Sequence, residues 1–279
     1  MHFSCSFGKK VVILQRIWHK EMEKLKVIAY ARNGHTDKFG IPRQSREESP
    51  IVTRIVFEPE YNVREALRGI EGYSHLWLIW GFEEVQRDKV QRDKVQRDDV
   101  RCTKEWSPTV RPPRLGGNKR MGVFATRSPF RPNPIGLSSV RNLTPTLSSR
   151  EGVYIGESGR IELLVSGADV LDGTPIYDIK PYLSFSDSHP EARNGFAEET
   201  KDYRLEVDWS GVAARKEGSM EQPDEETRRA IEYILSQDPR PGYQDDPERE
   251  YKMEYGGWRV VFVVNSDSEA VVRQISRIG

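Results

Sequence analysis

Leu76-Trp77-Leu78-Ile79-Trp80 is an unbroken apolar run of aromatic and β-branched or γ-branched side chains. It predicts a strand over Leu76–Phe82 that is buried on both faces, because a half-exposed strand would alternate with polar residues. Outward from it, short runs of the same chemistry recur between Gly, Pro and Asn residues. Val27–Ala31, Ile51–Phe57, Gly122–Thr126, Gly136–Asn142 and Ile161–Ser166 are further strand candidates. Only Val63–Ile70 reads as a short helix in this half. Six short strands with little helix between them suggest a closed barrel or a sandwich, since closure removes exposed edges. The alternating βαβα pattern of a doubly wound sheet is missing.

The flanks divide the chain of 279 residues. Residues 1–25 precede the first strand pattern and read as an N-terminal extension, either disordered or upstream of a start at Met22. Residues 26–186 hold the strands. Within them, residues 85–100 repeat Val-Gln-Arg-Asp-Lys with a five-residue period. That period advances about 140° per repeat around a helix, so the valines share no stripe and the insertion reads as solvated surface. Residues 187–279 form a small α+β unit: a helix over Pro223–Gln237 with an acidic first turn, a stop at Asp238-Pro239-Arg240-Pro241-Gly242, a hairpin around Gly256-Gly257, and a last strand over Ala270–Ile278.

Lys+Arg and Asp+Glu both number 43, so net charge names no partner, but the distribution is uneven. Arg101–Arg141 holds nine basic residues against the single acid Glu105, whereas Asp187–Glu254 holds nineteen acids and ten bases. A localised anion-binding face follows. Two cysteines, Cys5 and Cys102, exclude a disulfide framework, and five scattered histidines give no metal-ligand spacing. No apolar run is long enough to span a membrane. A cytoplasmic protein without a metal is expected.

Three segments carry chemistry. In Lys38–Gln44, a Pro/Gly loop presents Arg43 and Gln44, which suit a carboxylate or a base edge; a plain connecting loop is the alternative. Arg111–Arg120 and Gly122–Gly136 repeat arginines with almost no acidic partner, in loops shaped by Pro and Gly. Stability alone does not explain such mutual repulsion, whereas an RNA or phosphate surface does. The glycines fit neither a P-loop nor GxGxxG. Ala168–Tyr182 contains Asp169, Asp172 and Asp178: a divalent-cation site for phosphoryl chemistry, acceptors for a ribose diol, or a turn.

Taken together, Phe39–Gln44, Gly72–Trp77, Arg111–Gly117, Gly122–Ser128, Phe130–Gly136 and Asp169–Tyr182 closely resemble the TsaA-like (YaeB/TrmO) family, and Gln237–Tyr243 resembles its C-terminal part. The resemblance implies a mainly β fold, an antiparallel β-barrel with a small α+β C-terminal domain. It implies an S-adenosylmethionine-dependent methyltransferase acting on N6 of N6-threonylcarbamoyladenosine at position 37 of tRNA, working as a homodimer. Carried over, the cofactor contacts fall on Pro42, Arg43, Gln44, His75, Leu76, Arg127, Leu137, Asp169, Val170, Leu171 and Asp172. The tRNA contacts are expected at Arg111, Arg114, Lys119, Arg120, Arg131 and Arg240. Asp169, Asp172, Tyr177 and Asp178 are candidate proton acceptors. A tRNA-binding module that holds a cofactor-like ligand without turnover is the alternative, and a metal-dependent phosphoesterase a weaker one.

Overall fold

The computed structural model describes residues 25–82, 107–112, 119–144, 154–156, 159–213, 221–240, 246–265 and 268–278. The N-terminal extension up to residue 24, the Val-Gln-Arg-Asp-Lys insertion and Arg114 lie outside the described residues.

The first sheet uses β1 (Ala29–Arg32), β2 (Val52–Phe57), β3 (His75–Gly81), β6 (Ile135–Asn142), β7 (Tyr154–Ile155), β8 (Ile161–Ser166) and β9 (Pro175–Pro181) in the order β2-β1-β9-β3-β6-β8-β7. Because β8 also pairs with β2, the antiparallel ladder returns on itself through six strands. The two-residue strands β4 (Thr109–Val110) and β5 (Met121–Gly122) pair with each other. Among the described residues, no helix is long and apolar enough to cross a membrane.

The period of two decides what fills the ring. Ile55 and Phe57 of β2, Leu76, Leu78 and Trp80 of β3, Val140 of β6, Leu163 and Val165 of β8 and Ile176 of β9 form one buried cluster. The run at Leu76–Trp80 therefore alternates, correcting the expectation of burial on both faces. Trp77 and Ile79 are only half-buried, and Trp77 is flanked by Tyr182, with ring centroids 5.5 Å apart. Gly136 is needed where the Trp80 indole crosses β6, since a Cβ there would lie 2.2 Å from the ring.

Two further expectations change, and one strand was not anticipated. Val63–Ile70 forms two 3-10 turns, Arg64–Leu67 and Ile70–Gly72, parted by Gly69 with a φ of 89° that breaks a helix. Gly122–Thr126 is mostly not a strand: a 3-10 turn at Val123–Ala125 follows Gly122, closed by the Thr126 hydroxyl donating to the Val123 carbonyl at 2.9 Å. β9, between β1 and β3, escaped the sequence reading because prolines sit at both of its ends.

In the C-terminal part, β11 (Tyr251–Tyr255), β12 (Trp258–Val264) and β13 (Glu269–Arg277) are antiparallel, and β10 (Glu206–Asp208) adds in parallel along β13. Two four-residue helices, α1 (Ser184–Asp187) and α2 (Ser210–Ala213), precede α3 (Glu225–Ser236). Asp224 caps α3 by accepting the Thr227 N–H at 2.7 Å. Ile231, Ile234 and Leu235 of α3 join Met253, Val260, Phe262 and Val272 in a second core.

That core also takes Ile51 and Phe39 from the long connection between β1 and β2. Phe39 stacks on Tyr251 at 6.2 Å and 9°. The Gly256 N–H donates to the Gly34 carbonyl at 3.0 Å, and Tyr255 lies so close that a Cβ on Gly34 would be 2.8 Å from its ring. His35 is fully buried there, edge-on to Tyr255 at 5.1 Å, and burial pushes its imidazole down to about 4.

Candidate cofactor and RNA site

The connection between β8 and β9 turns at Gly167, whose φ of 87° brings its backbone against residue 46. A Cβ on Gly167 would lie 2.6 Å from the Arg46 carbonyl oxygen, and the Arg46 N–H donates to the Gly167 carbonyl at 3.3 Å. The Arg43–Arg46 stretch is thereby held beside Asp169.

Asp169 faces inward. The fully buried Ser138 hydroxyl donates to its Oδ1, and the Trp80 indole N–H donates to the Ser138 oxygen at 2.8 Å. Burial pushes the Asp169 carboxyl above its usual range. The Ser138 hydroxyl, its own backbone N–H, the nearby Arg127 charge and the Ser45 N–H pull the other way. Ser138 and Ser45 were not singled out in the sequence. The period of two on β6, which turns Gly136, Ser138 and Val140 inward, is the signal that points to Ser138.

Asp172 has a different environment. Its Oδ1 accepts the Asn33 N–H at 3.0 Å, its Oδ2 pairs with Arg32 Nη1 at 3.2 Å, and its own N–H donates to the His35 carbonyl at 2.9 Å. Asn33 Nδ2 donates to the Val170 carbonyl at 3.0 Å, and the Leu171 carbonyl accepts from the Thr174 N–H at 3.1 Å. This half of the motif is a turn fastened to the end of β1, with Val170 buried. Asp178 pairs with Lys180 at 3.0 Å, and Tyr177 lies over Gly81. Among the described residues, no three His, Cys, Asp or Glu side chains converge in a way that could hold a metal ion.

Pro42 is buried, and Arg43 and Gln44 are half-buried. Arg43 donates through Nη2 to the Arg240 carbonyl. Burial draws its guanidinium below the ordinary arginine value, with the Asp238 charge opposing. His75 meets the Ser74 hydroxyl at 2.9 Å through Nδ1, and its Nε2 lies 3.6 Å from Glu47. Leu76 is sealed in the core, so only its backbone is left for a ligand. Leu137, 54% exposed, points outward from β6. One chain thus brings Asp169, Ser138 and Ser45 together with Arg127 nearby, and puts Leu137 on the opposite side of the sheet from Ser138.

The basic loops are self-supporting. Arg131 donates to the Thr126 carbonyl at 2.8 Å and lies 5.7 Å from the Phe124 ring centroid, and Arg120 donates to Thr109 Oγ1 at 3.0 Å. Arg111, Lys119, Arg120 and Arg127 are exposed, as are the aromatic rings of Phe124 (69%) and Phe130 (52%). Arg240 differs from all of these. Its guanidinium is closed against Asp238 through Nε at 2.8 Å and Nη2 at 2.9 Å, and its side chain is 12% exposed.

Comparison with known proteins matches this arrangement across both units. The tRNA-methyltransferase O N-terminal domain matches residues 30–188, and the TrmO C-terminal domain matches residues 202–278. The chain belongs to the TrmO family. A tRNA (adenine(37)-N6)-methyltransferase of Eikenella corrodens is 48% identical over 157 residues, covering 56% of this chain and 80% of that protein. A Pseudomonas aeruginosa protein described as an S-adenosylmethionine-dependent methyltransferase is 40% identical over 229 residues, covering 80% of this chain and 85% of its own. The crystal structure of TrmO from Pseudomonas aeruginosa superposes with a TM-score of 0.60 at 28% identity, covering 91% of this chain and 98% of that one. The mainly β architecture is thus that of the TrmO family.

Proposed function

We propose that this chain is an S-adenosylmethionine-dependent methyltransferase that methylates N6 of N6-threonylcarbamoyladenosine at position 37 of tRNA. The single observation that carries the reading is the half-buried Asp169 carboxyl, held by Ser138 and Ser45 beside the exposed cation Arg127, in a chain of the TrmO family. The six-strand ring is the family's antiparallel barrel in this reading, and the protein works on tRNA in the cytoplasm. A second copy covers the outward face of β6, where Ile135 and Leu137 leave apolar surface exposed.

The donor set suits the cofactor. Guanidinium groups at Arg43 and Arg127 suit the methionyl carboxylate, and the Asp169–Asp172 turn carries the remaining expected contacts. The sulfonium supplies an already activated methyl group. What remains for the protein is alignment, with the attacking nitrogen about 3–3.5 Å from the methyl carbon. The N6 lone pair is delocalised into the purine and the carbamoyl group, so a proton acceptor helps. Asp169 is the best placed of the four candidates, because Asp172 and Asp178 are ion-paired and Tyr177 covers Gly81. Its raised affinity for a proton makes it the stronger base. Arg111, Lys119 and Arg120 meet the anticodon-arm phosphates, whose loop offers an unpaired base without opening a duplex.

The test is single-turnover transfer of labelled methyl from S-adenosylmethionine to tRNA with and without the threonylcarbamoyl group, in the presence of a chelator. Transfer confined to the modified tRNA and indifferent to chelator supports the reading. Binding of tRNA without transfer would leave a ligand-holding RNA module, and loss of activity with the chelator would point to metal chemistry.

A further inference from the structure

The nineteen residues between Arg32 and Val52 contain no strand or helix. A connection of that length keeps one conformation only when something outside it holds it. Here the holder is the C-terminal unit. Phe39 lies against Tyr251 and Phe262, and Gly40 lies against Ile234, 3.3 Å from where a Cβ would be. Arg46 Nη2 donates to the Lys201 carbonyl at 3.0 Å, and Glu48 pairs with Arg204 at 3.0 Å. In the middle of the connection, the Arg43 guanidinium donates to the main-chain carbonyl of Arg240.

That carbonyl belongs to a turn with a specific construction. α3 ends at Ser236, and Asp238 adopts a φ of +50°, a left-handed conformation uncommon outside glycine, asparagine and aspartate. Pro239 prevents the helix from continuing. The Asp238 carboxylate then gathers the Arg240 Nε and Nη2 donors, the Arg240 backbone N–H at 3.3 Å and the Tyr203 hydroxyl at 3.2 Å. Asp238 and Arg240 side chains are 17% and 12% exposed. A guanidinium closed on a carboxylate in this way is not presented to an RNA phosphate. What the pair does is fix the direction of the Arg240 carbonyl, and through it the Arg43 side chain.

We propose that the C-terminal unit forms part of the cofactor site, with Asp238 and Arg240 acting as positioning residues that set the Arg43 guanidinium for the methionyl carboxylate. This rests on the methyltransferase reading and on Arg43 touching the cofactor. It replaces the expected tRNA contact at Arg240 with a role inside the protein.

The test measures S-adenosylmethionine affinity by calorimetry, the steady-state constants, and tRNA affinity across a salt series, all on the full chain. Asp238→Asn keeps the tolerance for a left-handed φ while it removes the charge and turns one acceptor oxygen into an amide donor. It raises the cofactor Kd and KM about tenfold, the size of one lost charge-assisted hydrogen bond, with kcat within about twofold. Affinity for tRNA and its salt slope stay unchanged. Arg240→Lys, which keeps one donor, loses less cofactor affinity than Arg240→Ala. Tyr203→Phe removes one donor without disturbing the turn and shows the same effect at about twofold to threefold, so the claim stays testable if Asp238 variants unfold. Arg240→Ala with normal cofactor binding and a tRNA salt slope shallower by about 0.7–0.9 would overturn the proposal. So would variants that change neither ligand. If Arg43→Ala itself leaves cofactor affinity intact, the assignment of Arg43 falls and the proposal with it. If Arg43→Ala loses cofactor while Asp238→Asn does not, the positioning role falls alone.

Discussion

Two loops of similar composition flank Asp169, and they are held in opposite ways. The connection carrying Arg43 is tied to the second core by an aromatic stack, an ion pair and main-chain hydrogen bonds. The described residues between Ser107 and Arg131 are knit by their own hydrogen bonds at Thr109, Thr126 and Ser128, and Arg111, Lys119, Arg120 and Arg127 among them are exposed. In sequence both are Pro/Gly loops with arginines. The difference is whether the guanidinium is half-buried and tied to the C-terminal part, as at Arg43, or exposed on its own loop, as at Arg111 and Arg127. An engaged arginine fixes a shape that a small zwitterionic ligand needs. An open one contributes long-range attraction to a polyanion, which tolerates imprecise geometry.

The sharpest way to break this comparison is at the point where the loops meet. Asp169→Asn keeps the shape and the acceptor for Ser138 but abolishes the base, and methyl transfer falls about 10²–10⁴-fold in a single-turnover assay. Its stability moves the other way. A carboxyl whose folded affinity for protons is raised destabilises the fold when ionised, so the melting temperature of the variant at neutral pH stays level or rises. A variant that melts earlier while keeping its rate would reverse the assignment.

The next effect belongs to the tethered loop. His35 titrates at about 4 when folded against 6.5 when free. Its neutral form is stabilising above pH 6.5, and the contribution is lost as pH falls from 6.5 towards 4, because the unfolded chain takes the proton first. About 3 kcal/mol disappears across that window. Denaturant unfolding at several pH values should show this slope in the wild type and a flatter one in His35→Leu, which removes two unpartnered buried nitrogens. Equal slopes would remove His35 from the junction's energetics.

The smallest effects belong to the open loop. Arg111→Ala and Lys119→Ala each lower the log–log salt slope of tRNA binding by about 0.7–0.9, with cofactor affinity unchanged. Arg131→Ala, by contrast, removes a hydrogen bond that supports the loop, costing about 1 kcal/mol in unfolding experiments.

These contrasts also mark what the sequence could reveal. Five of six strand candidates fold as strands because β-branched and aromatic residues at a period of two admit little else. β9 was hidden by Pro175 and Pro181 at its ends and by Asp178 and Lys180 on its outward face, where charge breaks the apolar signal. Asp169 was legible as a carboxylate in a motif. Its raised proton affinity was not, since it arises from burial in the folded chain, opposed by Ser138, Ser45 and Arg127, all distant in the chain. Asp172 shows the converse: a motif residue whose oxygens are occupied by Arg32 and Asn33. Arg240 read as a free cation because no sequence pattern announces that Asp238 will turn left-handed and enclose it.

The measurement that bears most directly on this division is equilibrium binding of both ligands to two variants, Arg43→Ala and Arg111→Ala, under one buffer and over one salt series. The account predicts a crossed result: Arg43→Ala loses S-adenosylmethionine and retains tRNA with its full salt slope, while Arg111→Ala retains S-adenosylmethionine and binds tRNA with a shallower slope. Both ligands weakened by the same variant, or the two effects exchanged, would contradict it.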